Sequence, residues 1–116
     1  MSKDCIFCKI ANKEISSKRI HENDNFFSIF DLNPKVEGHF LVISKKHFEY
    51  IFEMPSSLGS EFLDCVKKTA MKIMKEQKSE GMNVVVNTME SAGQVVKHFH
   101  AHILPRKKGD GFKAGV

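Results

Sequence analysis

"HFHAHIL", residues 98–104, alternates histidine with apolar side chains and closes on an aliphatic pair. Successive side chains of a β-strand point to opposite faces, so this stretch reads as a two-faced strand. Phe99, Ala101 and Ile103 make one face, suited to packing against a second layer, and His98, His100 and His102 make the other. At ~3.3 Å of rise per residue, neighbouring imidazoles stand ~6.6 Å apart and the outer two ~13 Å apart. Half of the six histidines in the chain sit here. Such clustering suits a metal, or a nucleophile whose neighbours fix its tautomer and bind the substrate. A catalytic zinc held by all three is disfavoured, because ligands that far apart on one straight strand cannot all lie ~2.0–2.1 Å from one ion.

Upstream, "KRIHEN" and "FFSIFDL" read as two strands joined at "NDN", where Asn and Asp favour a turn. "LNPKVEG" reads as a loop and "HFLVISKK" as a central strand. "HFEYIFEM" suggests a helical turn that stops before Pro55. From Ser56 the period changes: Leu58, Phe62, Cys65, Val66, Ala70, Ile73, Met74 and Gln77 recur every three or four residues, one stripe of an amphipathic helix. Ser56 or Ser57 is the expected cap and Gly81 lies just past the expected end. "MNVVVNT" and "KHFHAHIL" complete five strands, with "MESAGQ" as the turn between them. Strands, one long helix, then strands predict an α+β fold with an antiparallel sheet covered by the helix.

The 116 residues fit one domain, with residues 1–106 as its body and 107–116 as a basic, flexible tail. A net charge of +4 and phenylalanines at core positions, not interleaved with a basic stripe, argue against nucleic-acid binding. No stretch nears the ~20 apolar residues of a membrane span, and the charged start does not resemble a signal peptide. With an odd number of cysteines, three, a disulfide framework is disfavoured and a cytoplasmic setting is expected. Cys65 belongs to the helix stripe and reads as a small core residue. Cys5 and Cys8 form a C-x₂-C knuckle, half of a tetrahedral zinc site that needs two more ligands.

The triad is one of several ordered blocks. "FDLNP" (30–34), "GHFLVISKKH" (38–47) and "SAGQVVKHFHAHILPR" (91–106) resemble, in order and spacing, the histidine-triad (HIT) superfamily, and residues 4–106 carry the likeness. Within it, the chain resembles short, zinc-binding, bacterial-type members of the Hint-like branch. The resemblance implies a HIT-like fold, a homodimer that joins two five-stranded sheets, and hydrolysis at the α-phosphorus of purine nucleoside phosphoramidates or related nucleotidyl substrates. It assigns His100 as the nucleophile that forms a covalent nucleotidyl-histidine, His102 as the phosphate or leaving-group contact, and His98 and His39 as further site histidines. It also places Asp31 on the ribose, Asn87 on the phosphate or leaving group, and Phe7, Ile10, Phe30 and Leu32 around the base. Gly93 allows close backbone approach, and the amides of Gln94 and Val95 are candidate donors to developing oxygen charge. His47 and His98 are implied as the partners of Cys5 and Cys8 on a structural zinc that takes no part in the chemistry.

Two positions depart from the family. Val95 stands where a Ser or Thr is common, and Met89 where a glycine is frequent. These departures motivate a rival reading, a zinc-stabilised nucleotide-sensing or interaction module without turnover. A dinucleoside polyphosphate hydrolase is a second rival.

Overall fold

The structure is a computed structural model and describes residues 4–113. Helix α1, Ile6–Ala11, starts at the knuckle: the Cys5 side chain accepts from the Cys8 N–H and caps it. Strands β1 (His21–Glu22) and β2 (Phe26–Phe30) follow, and the Asn23 side chain fixes the turn between them by accepting from the Asn25 and Phe26 amides. Strand β3 is Phe40–Ser44, helix α2 is Gly59–Gln77, strand β4 is Gly81–Val85 and strand β5 is His100–Arg106. The five strands form one antiparallel sheet in the order β1-β2-β3-β5-β4. The expected α+β architecture, a five-stranded antiparallel sheet with one long helix, is therefore the observed one.

The alternation of β5 divides the protein into two cores. Phe99, Ala101 and Ile103 join Phe26, Phe40 and Val42 on one face, where Cys65, Val66, Ala70 and Ile73 of α2 cover them. Thr69, outside the apolar stripe, is also buried there and pairs with Ser28 at 2.8 Å. On the opposite face Phe27, Ile29, Leu41 and Ile43 pack against Cys5, Phe7, Cys8 and Ile10 of the N-terminal segment. In register, His100 lies opposite Ile43 and His102 opposite Leu41 and Val85, so both histidines share this second face.

Three expectations about element ends are corrected. Neither Ser56 nor Ser57 caps α2; residues 56–58 form a 3₁₀ turn that leads into it, with Leu58 at the cap position. The helix ends at Gln77 and is closed by Lys78, not by Gly81: Lys78 takes the left-handed conformation (φ 56°) and donates to the Met74 carbonyl, and Gly81 begins β4. Strand β5 begins at His100, so His98 lies before the ladder; its N–H turns back to the Val96 carbonyl, and Phe99 donates to Phe48 at 2.5 Å.

Candidate functional site

Asp31 and His39 flank the loop between β2 and β3, joined by a 3.0 Å bond from the Asp31 amide to the His39 carbonyl. That pairing extends the ladder one step and sets both side chains beside His102. His39 Nε2 lies 3.1 Å from His102 Nδ1 and 3.4 Å from an Asp31 carboxylate oxygen. The Lys35 amide donates to His39 Nδ1 at 3.1 Å. A backbone N–H can only donate, so the His39 proton is on Nε2. His39 then donates to His102 Nδ1, which puts the His102 proton on Nε2. Burial, reinforced by the neighbouring His100 and His39, pushes the His102 pKa down to about 4, and burial also lowers that of His39.

His100 is fixed by a different partner. Its Nδ1 donates to the His98 carbonyl at 2.7 Å, which leaves the lone pair on Nε2. The Phe7 ring meets it edge-on at 5.0 Å, and burial depresses its pKa, so the neutral, nucleophilic form dominates near pH 7.

His100 and His102 line a cleft of about 520 Å³. Phe7, Ile10, Phe30 and Leu32 form apolar walls, and Asp31, Asn87, Gly93 and Val95 also line it. Leu32 (95% exposed) and Val95 (89%) stand at the rim, apolar surface that none of the described residues covers. Gly93 ends a 3₁₀ turn at residues 90–92 with φ 93°; an added Cβ would meet only ordinary contacts, so its conformation is the reason for glycine.

Gln94 departs from its expected role. Its amide donates to the Met89 carbonyl at 3.1 Å, and its side chain accepts from the Met89 amide while donating to the carbonyls of Glu49 and Val96. It holds the turn together and presents no free donor to the cleft, whereas the Val95 amide has no partner among the described residues. The sequence reading also missed Ile6, Ile29, Lys35, Leu41 and Val96 as cleft residues. Strand parity could have found Ile29 and Leu41, which share a face with Asp31 and His39. Helical spacing could have found Ile6, four residues before Ile10.

Cys5, Cys8, His47 and His98 converge as the sequence reading expected, all four donor atoms within 4.8 Å of one another. The Cys5 sulfur is 3.2 Å from His98 Nδ1, the Cys8 sulfur is 3.2 Å from His47 Nδ1, and the two Nδ1 atoms are 3.2 Å apart. Tetrahedral zinc with ordinary Zn–N and Zn–S lengths sets its ligands roughly 3.3–3.8 Å apart. The donor chemistry agrees. His98 Nε2 donates to the Ser44 carbonyl at 2.6 Å, so its Nδ1 lone pair faces the sulfurs. Burial raises the Cys8 thiol to about 11 and lowers His98 to about 4. A dication is the group that would favour thiolates and neutral imidazoles together.

Asp31, His39 and His102 also lie within 4.8 Å of one another. Their hydrogen bonds suit a metal less well. With Nδ1 accepting from Lys35, His39 turns a proton, not a lone pair, toward the other two.

A family model for the HIT domain matches residues 12–109. An uncharacterized HIT-like protein of Methanocaldococcus jannaschii is 45% identical over 107 residues, covering 92% of this chain and 82% of that protein. The adenosine 5'-monophosphoramidase HNT1 of Candida albicans is 36% identical, covering 89% of this chain and 70% of that protein. The adenylylsulfatase HINT3 of Arabidopsis thaliana is 37% identical, covering 95% of this chain and 56% of that protein. Among solved structures, a HIT-family protein of Bacillus subtilis superposes with a TM-score of 0.89 at 39% identity, covering 98% of this chain and 82% of that one. A zinc-bound histidine-triad protein of Mycobacterium smegmatis gives 0.87 at 31%, covering 95% and 80%.

Proposed function

The chain belongs to the HIT domain family, and from that membership we propose that it hydrolyses nucleotidyl substrates at the α-phosphorus, with His100 as the nucleophile. The observation that carries this is the bond from His100 Nδ1 to the His98 carbonyl, which leaves a lone pair on a neutral imidazole at an apolar cleft. The base would lie among Phe7, Ile10, Phe30 and Leu32, and the ribose hydroxyls would donate to Asp31. His100 Nε2 attacks phosphorus and forms an N–P bond while the bond to the leaving group breaks and that group takes the electron pair, an oxyanion departing as such and an amine taking a proton from solvent. His102 Nε2–H, the Asn87 amide and the Val95 N–H hydrogen-bond the oxygen charge that develops. Water then attacks phosphorus, the N–P bond breaks with its pair returning to Nε2, a water proton passes to solvent, and the nucleoside monophosphate leaves.

Zinc at Cys5, Cys8, His47 and His98 would act as a closed structural clamp. It would tie α1 to the segment that presents His100, and no step passes through it. The supports are the Cys/His cluster and the zinc-bound relative. The three cysteines are free thiols, which suits a reducing cytoplasm. A homodimer through the open edge of the sheet is supported by β4, the edge strand, whose Met82 and Val84 are exposed. Among the described residues no helix is long and apolar enough to cross a membrane.

The test is turnover of adenosine 5'-phosphoramidate by the wild type, His100→Ala and His100→Gln, with AMP binding measured in parallel. AMP release by the wild type and a loss of roughly 10³–10⁴-fold in both variants, with binding retained, is expected. Equal activity in the variants would remove His100 as the nucleophile. An inactive wild type that still binds AMP would favour the sensing module, to which the missing hydroxyl at Val95 already points.

A further inference from the structure

The cleft has a second lobe, about 350 Å³ in volume, that meets the first at Asp31, Lys35, Asn87 and His102. Its far wall is Leu104, Phe112 and Lys113. Phe112 is held there by Arg106, the last residue of β5. The Arg106 guanidinium bonds both Asp110 carboxylate oxygens at 2.7 Å, the Asn83 side chain at 2.8 Å and the Phe112 carbonyl, and lies 5.4 Å from the Phe112 ring centroid. The base and ribose fill the first lobe in the function proposed above, so whatever departs from phosphorus must enter this one.

Two features of the second lobe state what it would accept. Lys35 stands at the seam and Lys113 on the far wall, and neither forms an ion pair among the described residues. The one carboxylate, Asp31, is already engaged, one oxygen by the Asn33 amide at 2.8 Å and the other by His39. The second feature is the proton inventory. His102 receives a hydrogen bond at Nδ1 and offers a single N–H at Nε2, so surrendering that proton would leave an imidazolate. A neutral donor of this kind can hydrogen-bond a departing oxyanion that needs no proton, but it is a poor acid for an amine that does.

On the footing of the hydrolase reading, we propose that the second lobe is the leaving-group subsite and that Lys35 and Lys113 select a leaving group bearing an oxyanion over a neutral amine. The oxyanion leaves with the bonding pair as a stable anion, phosphate or sulfate, and the lysines balance its charge. In a dinucleoside polyphosphate, Phe112 would in addition face the second base.

The experiment compares kcat/KM for adenylyl sulfate, diadenosine triphosphate and adenosine 5'-phosphoramidate in the wild type, Lys113→Ala and Lys113→Glu. Reversing one charge at a half-open site is expected to lower the anionic-to-neutral ratio about tenfold in Lys113→Glu, with Lys113→Ala in between. Added salt should lower the wild-type ratio. The two anionic substrates separate the sources: a sulfate site favours the first, and a lobe that also seats a second base favours the second. A binding arm is independent of turnover. The wild type should bind the α,β-methylene analogue of ADP more tightly than AMP, and Lys113→Glu should reverse that order. Ratios and affinities that do not move would overturn the subsite while the His100 variants still judge the hydrolase; no turnover with the affinity order reversed would sink the hydrolase and keep the subsite.

Discussion

Met89 has φ 74° and ψ 165°, a region of backbone space that is essentially reserved for glycine. Holding another residue there costs of order 1–3 kcal/mol, and it persists only where the surroundings over-determine it. Here they do so through three bonds: the Met89 amide donates to Gln94 Oε1 at 2.7 Å, and the Met89 carbonyl accepts from the amides of Ala92 and Gln94. The substitutions Met89→Ala and Met89→Gly both remove a half-exposed thioether, so their difference isolates the backbone. At an ordinary position alanine is the more stable of the two by roughly 0.5–1 kcal/mol, because glycine loses more chain entropy on folding. At Met89 the relief of strain outweighs that loss, so the glycine variant should exceed the alanine variant by about 1 kcal/mol, close to 4 °C in Tm for a domain of this size. Urea unfolding of zinc-saturated protein reads the difference directly. An alanine variant as stable as the glycine variant, or more so, would refute the strained turn.

Two further outcomes are expected. The purified chain should carry one zinc per protomer by elemental analysis, and Cys8→Ser should lose it and melt at least about 10 °C lower; a wild type without zinc that melts with the variant would remove the clamp. Stability should fall as pH drops from about 6.5 toward 4, because the His102 pKa falls from 6.5 to about 4 on folding and the unfolded chain takes the proton first. The shift sets a ceiling of about 3 kcal/mol, which Asp31 moderates and Lys35 reinforces. His102→Gln should flatten that slope, and an unchanged slope would show that His102 does not titrate as its surroundings dictate.

Periodicity carried most of the fold, because it is a local property that tertiary contacts reinforce. Phe99, Ala101 and Ile103 went to the helix-covered core and His100 and His102 to the other face because β5 sits between two strands, where slipping by one residue would bury two imidazoles in the phenylalanine core. The meeting of Cys5 and Cys8 with His47 and His98 was legible through the family likeness, since residues 40 to 90 positions away in the chain have no local signature. What failed to show in the sequence was decided by hydrogen bonds between distant loops. Gln94 looked like a donor beside a glycine turn, yet its partners are Met89, Glu49 and Val96. Lys78 ended α2 without a glycine: its N–H still makes the helical bond to the Met74 carbonyl, and its left-handed conformation turns the next amide, Ser79, back to the same carbonyl.

The early start of the irregular segment at His98 has a chemical consequence. Within a regular strand, the three imidazoles would share one environment, and nothing would distinguish one from another. Because His98 leaves the ladder, its ring turns to Cys5 and Cys8 while its carbonyl remains free to accept from His100 Nδ1. One residue thus faces the Cys/His cluster with its side chain and sets the tautomer of His100 with its main chain. His102, still within the strand, takes its tautomer from His39, which takes its own from the Lys35 amide. Each histidine of the triad is therefore assigned by a different partner: His98 by the Ser44 carbonyl, His100 by the His98 carbonyl, and His102 by His39. Three identical side chains at alternate positions acquire two tautomers, the proton on Nε2 at His98 and His102 and on Nδ1 at His100, and the one with a free lone pair at the cleft is the one in the middle.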